Sequence, residues 1–233
     1  MREVFAAAGL TPSDADWEFY ERLRQCVLRG NERMNLTRLV EPADFLLKHV
    51  LDSLLPFAIV PALRDLPDGL LVADVGSGAG FPGLPLCRLR PGWTITLLER
   101  TRKKAAFLAE TIEELGIRNA RVLAADAREA KPLFGRCDVV TARAVGEIAD
   151  VARAALGLLA PAGVLVHYKG NVSGKELEEG ARVKGISQEG PFLHDLPPDA
   201  KRAVVLSRPT GRTRAGPSRP TRARGRTRGG RGR

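Results

Sequence analysis

Trp17, Tyr20, Leu23 and Val27 recur three and four residues apart, the spacing that puts apolar side chains on one face of a helix. Thr11-Pro12-Ser13-Asp14 reads as the start of that helix, with Thr11 as N-cap, Pro12 in the first helical position and an acid in the first turn, and Gly30 reads as its stop. A second helical stretch follows Pro42 and brings Phe45, His49 and Asp52 near one face. Residues 1–66 are therefore expected to form a small helical N-terminal region.

From Leu70 the pattern changes to short β-branched runs alternating with helical ones. Strands are predicted at Leu70–Val75, Thr94–Leu98, Arg121–Ala125, Asp138–Ala142, Val164–Tyr168 and Ala203–Ser207. Helices are predicted at Leu84–Leu89, Lys103–Leu115 and Glu147–Leu159, with a weaker one near Gly174–Val183. Such alternation implies an α/β sandwich, a mostly parallel sheet with helices on both faces, over residues 67–207. Residues 208–233 contain only Arg, Gly, Thr, Pro, Ala and Ser. A segment of that composition cannot bury a core, and it is expected to be a disordered tail.

Composition changes this picture in two places. The net charge of +10 suggests a basic surface, but ten arginines and no acid lie between Arg208 and Arg233, so residues 1–207 sum to zero. Cys26, Cys87 and Cys137 stand too far apart for a disulfide framework or a metal cluster and read as small buried hydrophobes, so no metal is expected. The apolar stretches Val4–Leu10 and Leu54–Leu63 are too short for a bilayer span, and the first is soon followed by acids, unlike a signal peptide. The expectation is a cytoplasmic protein.

The strongest chemical signal is Asp74-Val75-Gly76-Ser77-Gly78-Ala79-Gly80-Phe81-Pro82-Gly83, directly after a predicted strand and opening a helix. Alternating glycines let a backbone approach a ligand closely. A nicotinamide-binding turn would want its last glycine at position 81, where this chain has Phe81. The Gly76, Gly78 and Gly80 spacing suits instead a nucleoside cofactor with no pyrophosphate to cradle. Glu99, 19 residues after Gly80 at the end of the second strand, can accept both ribose hydroxyls of such a cofactor. Asp126 closes the third predicted strand, and Ala127, Arg128 and Glu129 follow it, where an adenine ring would lie.

Thr141-Ala142-Arg143-Ala144-Val145 ends the fourth strand, the edge where transferred groups sit. No Asn/Asp-Pro-Pro-aromatic sequence occurs there, which argues against methylation of an exocyclic base amine. No cysteine follows a proline, which argues against covalent attack on a pyrimidine. Transfer to a nucleophile that is already competent remains, and guanine N7 qualifies because no proton need leave before attack. Catalysis of that step is mostly alignment. Arg143 then holds the cofactor carboxylate, a phosphate or guanine O6.

Asn35-Leu36-Thr37, His49-Val50-Leu51-Asp52-Ser53-Leu54, the glycine loop with Gly83-Leu84-Pro85-Leu86, Thr141-Ala142-Arg143-Ala144-Val145 and Lys169-Gly170 occur in that order. Together they closely resemble the bacterial small-subunit ribosomal RNA guanine-N7 methyltransferases, the glucose-inhibited division B family, over roughly residues 20–207. The resemblance implies a Rossmann-like fold and methyl transfer from S-adenosylmethionine to N7 of guanosine 527 in 16S rRNA, free or in the small ribosomal subunit. It implies cofactor contacts from Gly76, Phe81, Arg128, Glu129 and Arg143, with Glu99 at the ribose. It also places His49 and Asp52 at the border of the pocket, as catalytic candidates beside Arg143. No DNA or membrane partner is implied, and a monomer is expected. The arginine-rich ending departs from the family pattern and resembles a nucleic-acid-binding arm; a genuine RNA-binding extension and a sequence altered by a change of reading frame both fit it.

Two other functions fit parts of the sequence. One is a methyltransferase with another RNA or small-molecule acceptor. The other is a non-catalytic RNA-binding protein of ribosome assembly, which would have no need of both the glycine loop and Glu99.

Overall fold

The structure is a computed structural model and describes residues 1–197 and 200–211. Helices α1 (Arg2–Ala7) and α2 (Asp14–Arg33) open the chain. The N-cap of α2 is Ser13, not Thr11: its side chain accepts from Asp16 N while Asp16 reaches back to Ser13 N, a complete capping box. Gly30 does not stop the helix either. It sits inside α2 because a Cβ there would lie 2.6 Å from the Phe107 ring, so it marks a close helix contact instead.

Residues 42–64 form a broken helical segment. It comprises α3 (Pro42–Phe45), a π-helical stretch (Leu46–Leu51), α4 (Asp52–Leu54), α5 (Pro56–Ile59) and α6 (Pro61–Arg64). Pro56 and Pro61 each open a new short piece, since a proline is tolerated at the first position of a helix and not within it.

The alternating half follows. Strand β1 (Leu71–Val75) leads to α7 (Gly83–Leu89), β2 (Thr94–Leu98), α8 (Arg102–Glu114), β3 (Ala120–Leu123) and β4 (Cys137–Arg143). Then come α9 (Ile148–Ala155), β5 (Leu159–Lys169), α10 (Gly174–Ala181), β6 (Ile186–Leu196) and β7 (Ala200–Pro209). The sheet order is β3-β2-β1-β4-β5-β7-β6. Strands β1 to β5 pair in parallel, and β7 runs antiparallel between β5 and β6. The predicted fold class holds: a mostly parallel, doubly covered sheet preceded by helices.

Strand β6 is absent from the sequence-based expectation. Gly190 and Pro191 interrupt its alternation, and the pairing register with β7 shifts between Glu189 and Phe192. Both features are tolerated because β6 is an edge strand. Strand β7 continues to Pro209, and Arg208 pairs with Glu189 at 3.0 Å, so the sheet extends two residues past the expected boundary. The other nine tail arginines lie outside the described residues.

One apolar cluster joins Phe5, Tyr20, Leu23 and Phe45 of the N-terminal helices to Val72, Val139, Val166 and Val204 of the sheet. The second cluster, on the other face, joins Ala73, Val75, Val140 and Leu165 to α9. The N-terminal helices thus cover one face of the sheet, in the layer that also holds α7 and α8.

Candidate active site

Side chains alternate across a strand, so the face that carries Val72, Val139, Val166 and Val204 also carries Asp74, Thr141, Arg143, Tyr168 and Arg202. Near the carboxyl ends of β1, β4 and β5 these polar groups come under the broken helix. The parallel strands point their ends at the same edge, and antiparallel β7 contributes its beginning there.

The glycine loop turns sharply between β1 and α7. Gly76 N and Ser77 N donate to the Leu98 carbonyl, which anchors the loop to the end of β2. Gly76, Gly78 and Gly80 all have positive φ, at 68°, 56° and 98°. At Gly80 a Cβ would also stand 2.2 Å from Leu84 Cδ1, so both conformation and space require glycine. Glu99, the residue after β2, is 6% exposed, and its carboxylate accepts from Gly78 N at 3.1 Å and Thr101 N at 2.8 Å. A glutamate that buried and that well held keeps the loop and the second strand end in register.

A cavity of about 370 Å³ opens beside this loop. Gly76, Glu99, Lys104, Asp126, Arg128 and Val145 line it, with Val75, Leu98, Ala127 and Val151 as its apolar wall. Asp126 lies beyond the end of β3, which stops at Leu123, and accepts from Arg128 N at 3.0 Å. Gly78, Gly80, Phe81 and Glu129 are outside the lining: the first two shape the loop, Phe81 is buried and Glu129 is exposed.

Arg143 is also outside that lining. It belongs to a second cavity of about 470 Å³ on the β5–β7 side, together with Lys48, His49, Asp52, Tyr168, Lys169 and Arg202. There Arg143 Nη1 donates to Asp52 Oδ2 at 3.0 Å and to the Lys48 carbonyl at 3.1 Å, and Nη2 donates to His49 Nδ1 at 3.1 Å. Arg202 Nε donates to the other oxygen of Asp52 at 3.0 Å. A buried carboxylate thus sits between two guanidiniums.

A guanidinium has no acceptor, so His49 Nδ1 must accept, and its proton is on Nε2, donated to Thr37 Oγ1 at 2.8 Å. Burial, aided by the Arg143 charge, pushes the His49 pKa down to about 3. His49 is therefore a neutral spacer that fixes Arg143, not a proton donor at neutral pH. Phe81 stacks on His49 with ring centroids 4.4 Å apart, and the Arg143 guanidinium lies 5.4 Å from the Phe81 centroid. Phe81 reaches the site through this stack.

The two cavities share one residue, Ala144, whose φ of 57° is left-handed. It is the single non-glycine with positive φ among the described residues. Such a conformation costs of order 1–3 kcal/mol and persists where surrounding structure fixes it. Lys169 helps fix it here: its Nζ donates to the Gly146 carbonyl at 2.9 Å and pairs with Glu176 at 2.6 Å. Glu176 in turn accepts from Ile148 N.

Asp74 connects the two halves from below. Fully buried, it accepts from Thr141 Oγ1 at 2.8 Å and Gly83 N at 3.1 Å, and burial pushes its pKa up to about 6. Among the described residues no group of three His, Cys, Asp or Glu side chains could hold a metal ion. Sequence reasoning placed His49, Asp52 and Arg143 near the pocket and missed Thr37, Asp74, Tyr168 and Arg202 as partners. Strand alternation would have put Arg202 on the right face, had the pairing of β7 with β5 been known.

The family described as rRNA small subunit methyltransferase G matches residues 17–192. The chain is 39% identical over 185 residues to the ribosomal RNA small subunit methyltransferase G of Trichormus variabilis, covering 76% of each protein. It is 39% identical over 205 residues to that of Deinococcus radiodurans, covering 83% of this chain and 79% of the relative. Among solved structures, a ribosomal protein L11 methylase from Lactobacillus delbrueckii subsp. bulgaricus aligns with a TM-score of 0.55 at 15% identity, over 70% of this chain and 79% of that one. TrmN from Thermus thermophilus aligns at 0.53 and 22% identity, over 67% of this chain and 48% of that one. At those identities the structural likeness concerns the fold alone.

Proposed function

The chain belongs to the rRNA small subunit methyltransferase G family, and from that premise we propose that it transfers the methyl group of S-adenosylmethionine to N7 of guanosine 527 in 16S rRNA. The observation that carries this reading is the pair of cavities meeting at Ala144, one walled by the glycine loop and Glu99, the other by the arginine cluster.

The first cavity fits the cofactor. Its volume is in the ordinary range for small-ligand sites, its wall is apolar beside Val75, Leu98 and Val151, and a buried carboxylate stands at its rim. When bound, S-adenosylmethionine supplies an electrophilic methyl group on a sulfonium. Glu99 would hold the ribose hydroxyls, Gly76 would let the backbone close on the ligand, and Asp126 and Arg128 would border the adenine. Phe81 and Glu129, outside the lining, would act through the loop and the β3 end respectively.

The second cavity takes the guanine. Its N7 lone pair would face the methyl group that S-adenosylmethionine would supply from the first cavity. No proton moves before attack, so the chain needs no base, and the one acceptor nitrogen of His49 is already taken by Arg143. Its residues align the ring and exclude water. The base becomes cationic, and Asp52 offsets the charge of Arg143 and Arg202 in the wall that faces it. Arg143, held by three acceptors, is pre-organised to meet guanine O6 or a phosphate.

The same reading gives a monomer acting in the cytoplasm on 16S rRNA or the small ribosomal subunit, with no DNA or membrane partner. Among the described residues no helix is long and apolar enough to cross a membrane. The test is incubation with unmodified 16S rRNA or 30S particles, followed by cleavage specific for 7-methylguanosine. Incorporation only at another base or at an exocyclic nitrogen would overturn the acceptor assignment.

A further inference from the structure

Beside the arginine cavity lies an extension, a separate cavity of about 420 Å³ that shares Gly170, Asn171, His194, Arg202 and Ala203 with it. The far side of this extension is the end of β6 and the start of β7, where Leu193 lies opposite Ala203 and Asp195 opposite Lys201. Leu193 is 74% exposed, the most exposed large apolar side chain among the described residues. It stands at the rim of a cleft lined by Val172 and Ala203 together with the polar Asn171, His194, Asp195, Lys201 and Arg202.

Two cations are available there. Arg202 donates Nε to Asp52 and Nη1 to the Lys201 carbonyl, which leaves Nη2 without a protein partner among the described residues. Lys201 pairs with Asp195, but both side chains are about three-quarters exposed, and surface pairs of that kind contribute little and exchange readily. By contrast both terminal nitrogens of Arg143 and the Lys169 ammonium already meet protein acceptors. Asn171, exposed on the shared wall, offers an amide that makes no hydrogen bond to the protein among the described residues.

An apolar ledge, a free amide and two cations within one cleft match the three parts of a nucleotide: base face, base edge and phosphate. We propose that this extension is a second nucleotide pocket, which holds the nucleotide adjoining the methylated guanosine in single-stranded RNA, its base on Leu193 and its phosphate at Lys201 on the same face of the β6–β7 hairpin, with Arg202 at the rim shared with the arginine cavity. The inference rests on the function proposed above and deepens it. Because the two cavities share a wall, a strand whose guanine enters beside Arg143 brings its next residue over that wall to Leu193. Selection of one guanosine among many then comes partly from unstacking two successive bases, a geometry that a paired helix cannot offer.

The test uses the full chain with Leu193→Ser and Lys201→Ala, residues that line neither the cofactor cavity nor the arginine cavity, and the Lys201 carbonyl that accepts from Arg202 is kept. With 16S rRNA as substrate, each variant should raise KM for RNA about five- to tenfold, while kcat and affinity for S-adenosylhomocysteine stay within twofold. A synthetic RNA loop carrying the target guanosine sharpens this: by fluorescence anisotropy Leu193→Ser should weaken binding about fivefold. The loss should vanish when one of the two flanking nucleotides is made abasic. Unchanged KM in both variants, or the same loss with either abasic loop as with the intact one, overturns the pocket. Transfer of no methyl group to RNA by the unaltered chain would overturn the function itself, and the pocket with it.

Discussion

The cofactor cavity and the arginine cavity open on adjoining strand ends, yet they are made of different material. The first is shaped largely by backbone: three glycines in left-handed conformation, carbonyl anchors on Leu98 and one carboxylate that accepts two backbone amides. The second is made of side chains, with Asp52, His49, Arg143 and Arg202 converging from two parts of the helical region and two strands. A site shaped by backbone is encoded over about ten consecutive residues. A site shaped by side chains exists only once distant segments have met. The two should therefore fail differently when single residues change.

The largest effect is expected in the glycine loop. Gly80→Ala places a Cβ against Leu84 in a backbone with φ of 98°, which combines strain with overpacking. Each costs about 1–3 kcal/mol, so the melting temperature should fall by about 10 °C and S-adenosylhomocysteine binding should be lost. Gly78→Ala has the same left-handed strain but meets only the Gly76 carbonyl, at 3.7 Å, and should lower the melting temperature by about half as much. Thermal scans and calorimetric titration measure both. Equal losses in the two variants would mean that space at Gly80 contributes nothing.

Arg143→Met should reverse this pattern. The apolar volume is kept, but His49 Nδ1 loses its donor and Asp52 one of its two, so methyl transfer should drop at least a hundredfold. Affinity for S-adenosylhomocysteine should stay within about threefold because Arg143 does not line that cavity; a threefold change is about 0.7 kcal/mol. Arg143→Lys should not rescue, since one ammonium cannot span the Lys48 carbonyl, Asp52 and His49 in a fixed plane. A large loss of cofactor affinity would instead place Arg143 at the cofactor carboxylate.

These contrasts explain what the sequence disclosed. The Gly76–Gly80 spacing and Glu99 are local features at strand ends, and periodicity locates strand ends to within a few residues. Strand β2 was read at its observed bounds for that reason. His49, Asp52 and Arg143 were legible as motif pieces, but nothing local says that Arg202 is their fourth partner, 150 residues from Asp52 along the chain. Edge strand β6 was illegible because Gly190 and Pro191 break the alternation that identifies strands, and its pocket with it. The cap of α2 was misplaced by two residues because Thr11 and Ser13 are both competent caps, and only the partner Asp16 separates them.

A smaller effect tests whether Glu99 belongs wholly to the first region. Glu99→Ala removes an acceptor for two backbone amides as well as the one proposed for ribose. A charge-assisted contact is worth about 1.5–3 kcal/mol, so affinity for S-adenosylhomocysteine should fall about ten- to a hundredfold, with little change in rate at saturating cofactor. Unchanged affinity would leave Glu99 as a brace for the loop alone.

The smallest expected effect concerns the seam between the regions, Asp74, which ties Thr141 on β4 to Gly83 beyond the glycine loop. Its pKa rises from 3.8 to about 6 because burial disfavours the charged form. Between those values the native state binds more protons than the unfolded chain, so the contribution of Asp74 to stability is fully present below pH 3.8. It is lost as pH rises through about 6. His49 and His167, pushed down to about 3 and about 4, act in the opposite direction: their contribution is present above pH 6.5 and lost as pH falls. The raw pH profile of stability therefore mixes both signs. Comparison with Asp74→Asn removes the histidines, which are common to both proteins. Asparagine has no charge to bury, and its carbonyl and amide can still meet Gly83 N and Thr141 Oγ1. The melting temperature of the variant minus that of the unaltered protein should grow by a few degrees between pH 4 and pH 6.5 and then level off. A difference that is flat across that range would mean that Asp74 stays charged in the folded protein, with its hydrogen bonds outweighing its burial.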